Sequence, residues 1–120
     1  MKVTGIQNGF LSFDIEQDGY HITVDAGEKL GGEGKGPSPK GLLISGLVGC
    51  TGMDVVSILK KMRVELSDFN VIVEGDLTEE HPKQFFKMNV IYEFKGKDLP
   101  LEKLEKAVSL SEEMYCGVSA

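Results

Sequence analysis

Two side chains in this sequence combine a reactive atom with an unusual setting, Cys50 and Cys116. A thiolate is a nucleophile, and its reactivity follows its local charge and exposure. Cys50 lies among small residues, Gly46, Gly49, Thr51 and Gly52, which would let another backbone or a ligand come close. Glycine costs helix stability, so three glycines in one helical segment call for compensation by packing or function. Cys116 precedes Gly117-Val118-Ser119-Ala120, where the chain breaks and a new helix could start. A helix N-terminus lowers a thiol pKa. Against this, Asp54 stands one helical turn after Cys50, and an ionised carboxylate facing the sulfur opposes thiolate formation. Free cysteine also often serves as a small hydrophobe, so composition alone leaves both roles open.

Other chemistries find less support. His21 and His81 are far apart, and no Cys or His pair has zinc spacing, so they read as a strand and a turn histidine. Ser45-Gly46 has no Gly-x-Ser-x-Gly elbow around it. The segment Gly27 to Gly41 is rich in glycine, but Gly32-Glu33-Gly34-Lys35-Gly36-Pro37 lacks both the Walker A ending and the dinucleotide fingerprint. A loop of this length is usually functional or mobile.

The elements that position the cysteines follow from patterning. Asn8-Gly9 and Asp18-Gly19 separate three short apolar runs and predict a three-stranded β-meander with tight hairpin turns. Ser38 suits a helix N-cap and Pro39 the first helical position. That helix should run to about Val64, closed by Lys60, Lys61 and Arg63, which complement its negative end. From Leu42 to Met53 it has almost no polar face, so it should be buried on all sides. One small subunit can hardly wrap it, which points to a partner subunit. Phe69, Val71 and Val73 alternate in a fourth strand, and Phe86, Met88, Val90, Tyr92 and Phe94 in a fifth. A second helix should begin near Pro100, with Leu101, Leu104, Val108 and Ser111 on one face and a Glu102–Lys106 pair on its surface. Antiparallel strand runs separated by helices indicate an α+β fold.

Composition narrows the function classes. The chain has 120 residues, 41% hydrophobic and 27% charged, with a net charge of -6. This suits one globular domain spanning residues 1–120. The acidic balance argues against nucleic acid. The longest uncharged stretch, Leu42 to Met53, has the length of a core helix rather than a membrane span, so no membrane partner is expected. The N-terminus shows no secretory signal, which predicts a cytoplasmic protein with reduced thiols.

At this point the motifs carry a resemblance. Gly36-Pro37-Ser38-Pro39, Leu42-Leu43 and Gly46-Leu47-Val48-Gly49-Cys50-Thr51-Gly52-Met53-Asp54-Val55-Val56 resemble the first-cysteine helix of the OsmC/Ohr family. Ser111 to Ser119 resembles the family's second-cysteine segment. The likeness is to the poorly characterised OsmC-like subgroup rather than to the hydroperoxide resistance enzymes. It implies an α+β OsmC-like fold, an antiparallel sheet with a long buried central helix in an intertwined homodimer. It also implies a C-terminus short relative to the family. The implied activity is thiol-dependent reduction of organic hydroperoxides or hydrogen peroxide, in oxidative-stress defence. Cys50 would be the peroxidatic nucleophile and Cys116 the resolving thiol, with a dithiol reductant and no cofactor or metal. Active members carry an arginine before the first cysteine; the cations of this chain in that region include Lys35 and Lys40, the candidate thiolate-stabilising residues. The alternative is a small-ligand-binding or sulfur-handling thiol protein without peroxidase activity, and beyond it a scaffold with two inert core cysteines.

Overall fold

A computed structural model of the chain describes residues 1–79 and 85–115. Strands β1 (Val3–Gln7), β2 (Phe13–Gln17) and β3 (Tyr20–Val24) form an antiparallel sheet in chain order. Helix α1 (Pro39–Lys61) leads to strands β4 (Asp68–Leu77) and β5 (Phe85–Lys95), a second antiparallel sheet. Helix α2 (Leu101–Leu110) follows and passes into a wider π turn at Ser111–Tyr115. By contacts the chain forms two compact units, Met1–Leu43 and Ile44–Ala120.

The first unit holds the meander. Asp18 and Gly19 have φ of 52° and 81°, the pair of positive values that a two-residue type I′ turn requires. That turn sets Phe13 opposite Val24 and Ile15 opposite Ile22, so the apolar side chains share one face. Asp14, Glu16, His21 and Thr23 take the other. His21 is indeed a strand histidine, its Nδ1 2.9 Å from Asp14, and the hydrogen bond and charge of Asp14 raise its pKa. The tight turn expected at Asn8-Gly9 does not form. Gln7 pairs with Phe13, which leaves residues 8–12 as a longer loop. The Asn8 amide donates to the Ser12 carbonyl, and Gln7 Nε2 to that of Phe10, which close this loop without positive φ at Asn8 or Gly9.

Helix α1 begins as its sequence predicts. The Ser38 hydroxyl accepts a hydrogen bond from the Gly41 amide at 3.2 Å, and Pro39 occupies the first turn. Its end is less ordinary. The Val64 amide donates to Leu59 and the Arg63 amide to Lys60, a Schellman closure with Arg63 at φ 62° where glycine is usual.

The second unit carries the core. Val55 and Leu59 of α1 pack with Leu104 and Ala107 of α2, and Phe69, Tyr92 and Phe94 cover this group from the sheet. Half-buried and exposed residues alternate along β4, as its period-two pattern predicts. In β5 the inner row is Val90, Tyr92 and Phe94, while Met88 is exposed. A register shift at Asp76/Leu77 pairs Leu77 with Phe85, whose ring lies over Gly75. The side chain of Phe86, expected to point inward, lies outside the described residues, as does His81.

Three expectations need correction. Within one chain α1 is not buried all round: Leu47, Thr51, Val55 and Leu59 form a single buried stripe, while Leu43, Met53 and Val56 are exposed. Leu101 is exposed, and the inward face of α2 is Leu104, Ala107 and Val108, continued by Ser111 just past its end. Glu102 and Lys106 make no ion pair, although their spacing favours one; the pairs among the described residues are His21–Asp14 and Lys35–Glu33. Helix α1 is also long and apolar enough to cross a membrane by length and composition. The uncharged run stops at Met53, but Asp54 is the sole charge between Gly41 and Leu59, so the helix extends the apolar stretch.

Candidate functional site

Cys50 is half-buried about three turns into α1. At 100° per residue it falls beside the buried stripe, on the side shared by Asp54, Ser57 and Lys61. On its other side Gly49, Gly52, Met53 and Val56 line an open apolar groove of about 630 Å³, floored by Phe69 and Val71 of β4. A Cβ at Gly46 or Gly49 would meet nothing within 4 Å, and at Gly52 only the Val71 side chain at 3.7 Å. The glycines next to the thiol therefore leave surface for something to approach, as their composition suggests.

Asp54, read from the sequence only as a charge opposing the thiolate, has a defined partner. The buried Ser111 hydroxyl donates to its carboxylate at 3.3 Å. At the other end of the helix pair, Lys103 Nζ donates to the Met62 carbonyl at 3.2 Å. Helices α1 and α2 are thus antiparallel, and α2 ends beside the turn that follows Cys50. No sequence pattern links Ser111 to Asp54; only the packing of Leu104 and Ala107 on Val55 and Leu59 brings them together. Cys116, five residues beyond Ser111, lies outside the described residues.

Lys35 and Lys40 are both exposed. The Lys35 ammonium lies 3.5 Å from the Asn8 carbonyl and 3.8 Å from Glu33. Its backbone serves a different centre. Asp25 is 2% exposed, and its carboxylate accepts the amides of Ala26 at 2.7 Å, Glu33 at 3.0 Å and Lys35 at 3.2 Å. Burial pushes this carboxyl up, but the three amides and the Lys35 charge outweigh it and hold the pKa below the ordinary 3.8. Sequence reading missed this centre, since Asp25 stands outside any motif.

Two consequences follow for the glycine-rich loop, which is tied down rather than slack. Asp25 contributes stability above the unfolded-state value near 3.8, and that stability is lost as pH falls through the lower folded value. Thermal midpoints should therefore fall as pH drops below about 4, and Asp25→Asn should weaken that fall. A Cβ at Gly32 would collide with the Ala26 carbonyl, and one at Gly36 with that of Thr23. Gly32→Ala should lower the unfolding free energy by about 1–3 kcal/mol, read from the urea midpoint. No group of three or more His, Cys, Asp or Glu side chains converges to hold a metal among the described residues.

The arrangement of thiol helix, glycine face and antiparallel second helix has known relatives. Residues 32–120 match the family model described as OsmC-like protein. The chain belongs to the OsmC-like family. Protein YhfA of Escherichia coli K12 is 36% identical over 102 residues, covering 84% of this chain and 72% of YhfA. A hypothetical protein from Aquifex aeolicus VF5 has a solved structure 34% identical to this chain, with a TM-score of 0.86. The match covers 98% of this chain and 83% of the Aquifex protein. The organic hydroperoxide resistance protein OhrB of Bacillus subtilis shares the fold at 21% identity and a TM-score of 0.68, over 98% of this chain and 86% of its own. The α+β OsmC-like fold expected from the two cysteine motifs is thus the fold of this protein.

Proposed function

We propose that this OsmC-like protein reduces organic hydroperoxides or hydrogen peroxide through Cys50 and Cys116, as part of oxidative-stress defence. The observation that carries the reading is the antiparallel docking of α2 on α1. It sets Ser111, five positions before Cys116, against Asp54, one turn from Cys50. The shared fold with a hydroperoxide resistance protein adds support.

In this chemistry the Cys50 thiolate attacks one peroxide oxygen and the O–O bond breaks. The attacked oxygen stays on sulfur as a sulfenic acid, and the departing alkoxide or hydroxide takes a proton to become an alcohol or water. The Cys116 thiol condenses with the sulfenic acid, releasing water and forming a disulfide. An external dithiol returns both cysteines to thiols by exchange. No metal or organic cofactor takes part. The only arginine, Arg63, closes the far end of α1, so a lysine has to supply any positive charge, with Lys35 and Lys40 the candidates.

The protein works as a homodimer in this reading. The exposed apolar face of α1, with Met53 at 75% exposure beside the bare Gly49 and Gly52, is the surface a second copy would cover. A reducing cytoplasm suits a thiol pair of this kind. The test is the intact mass of the reduced protein, followed over seconds after one equivalent of an organic hydroperoxide. Loss of about 2 Da supports the thiol pair. No change over minutes rejects the peroxidase and turns attention to a ligand or partner in the groove at Gly49 and Gly52.

A further inference from the structure

Below Asp54, the antiparallel pair α1–α2 opens into a second concavity of about 360 Å³, which meets the glycine-lined groove at Ser57. Its apolar lining comes from Ile58 and Met62 of α1 and Leu110 of α2, and Ser57 lines it too. Lys61 and Lys106 reach it from opposite helices. Neither ammonium makes an ion pair with a described residue. Lys61 lies in the last turn of α1, where the helix dipole explains a cation. Lys106 lies in mid-α2, where it does not, and Glu102 at the favourable spacing leaves it unpaired. Two like charges facing one cleft are unfavourable unless an anion joins them. No acidic side chain among the described residues pairs with either.

The one carboxylate lining the cleft, Asp54, is at the opposite end, about 10 Å along the helix from Lys61 and already bound to Ser111. The cleft is therefore polarised along its length. It is negative beside the cysteine turn, apolar in the middle and positive at the end of α1. By the register of Ser111 with Asp54 and Lys103 with Met62, Lys106 comes within a turn of Lys61.

We propose that this cleft binds small organic carboxylates, the carboxylate bridging Lys61 and Lys106 and the apolar body lying over Ile58, Met62 and Leu110. The volume is at the lower end of that of small-molecule sites. Repulsion from Asp54 fixes the ligand's direction, carboxylate outward. The site does not depend on the thiol chemistry proposed above, because none of its contacts involves Cys50.

The probe is sodium hexanoate, titrated into the full reduced chain by calorimetry and by amide NMR, with 1-hexanol and inorganic phosphate as controls. Hexanoate should bind once per chain with a Kd on the order of 1 mM, and move the amides of residues 57–62 and 106–110. Hexanol and phosphate should each bind at least about tenfold more weakly, since each lacks one half of the recognition. Lys61→Gln with Lys106→Gln should weaken hexanoate at least about tenfold, with the far-ultraviolet circular dichroism of the folded chain retained because both side chains are exposed. Equal affinity in the double variant, phosphate binding as tight as hexanoate, or no binding by the unmodified chain would each overturn the site.

Discussion

Cys50→Ser is expected to abolish the hydroperoxide-dependent loss of about 2 Da that the proposed thiol chemistry gives the unmodified chain. A serine hydroxyl has nearly the same shape but does not ionise in the working pH range, so the nucleophile disappears while the half-buried position stays filled. Cys116→Ser should behave differently. Cys50 would still be oxidised, but with no second thiol to condense with, the product is a gain of about 16 Da or a mixed disulfide with added thiol. The two variants separate the roles. If Cys116→Ser still lost about 2 Da, the resolving thiol would lie elsewhere. If both variants behaved as the unmodified chain, neither sulfur would take part. Asp54→Asn adds a graded readout. Removing a carboxylate one turn from the sulfur should lower the Cys50 pKa and speed the reaction near neutral pH, measured by the pH dependence of alkylation.

Leu59→Ala is expected to lower the unfolding free energy by about 3–5 kcal/mol, the upper part of the range for leucine truncations. Leu59 is 1% exposed and packs with Val55, Leu104 and Ala107, the group that clamps α2 to α1. Removing its branched end leaves a void between two helices whose spacing is set by α2's other contacts, among them the Lys103–Met62 and Ser111–Asp54 hydrogen bonds. Equilibrium urea unfolding measures the loss. A cost below about 1 kcal/mol would show that α2 collapses onto the gap, and that the docking of Ser111 on Asp54 is not held by this core. The variant also bears on function. A looser α2 should slow disulfide formation after peroxide more than it slows the first oxidation, because only the second step needs Cys116 to reach Cys50.

Much of this architecture was legible in local sequence. The Ser38-Pro39 start of α1, the Asp18-Gly19 turn and the inward rows Phe69–Val71–Val73 and Val90–Tyr92–Phe94 depend on backbone preference and period, which neighbours in sequence dictate. The two cysteine motifs were specific enough to name the family. Other features were not legible. The Asn8-Gly9 dipeptide carries a turn signal, yet the register of β1 on β2 overrides it. Glu102 and Lys106 have the spacing of a pair but not its geometry, since long side chains on an exposed face gain little by meeting.

By itself, then, the sequence determined the element order, the start of α1 and most of the strand faces. Those properties are written in residue types and intervals of one to four positions. Tertiary structure alone decided that Ser111 bonds Asp54, that Asp25 gathers two amides of the glycine-rich loop, and that Lys61 and Lys106 face one cleft. Ser111 and Asp54 are 57 positions apart, and Asp25 reaches amides 8 and 10 positions away. Such meetings depend on how one apolar stripe packs on another, and packing is a property of the whole chain rather than of any window within it.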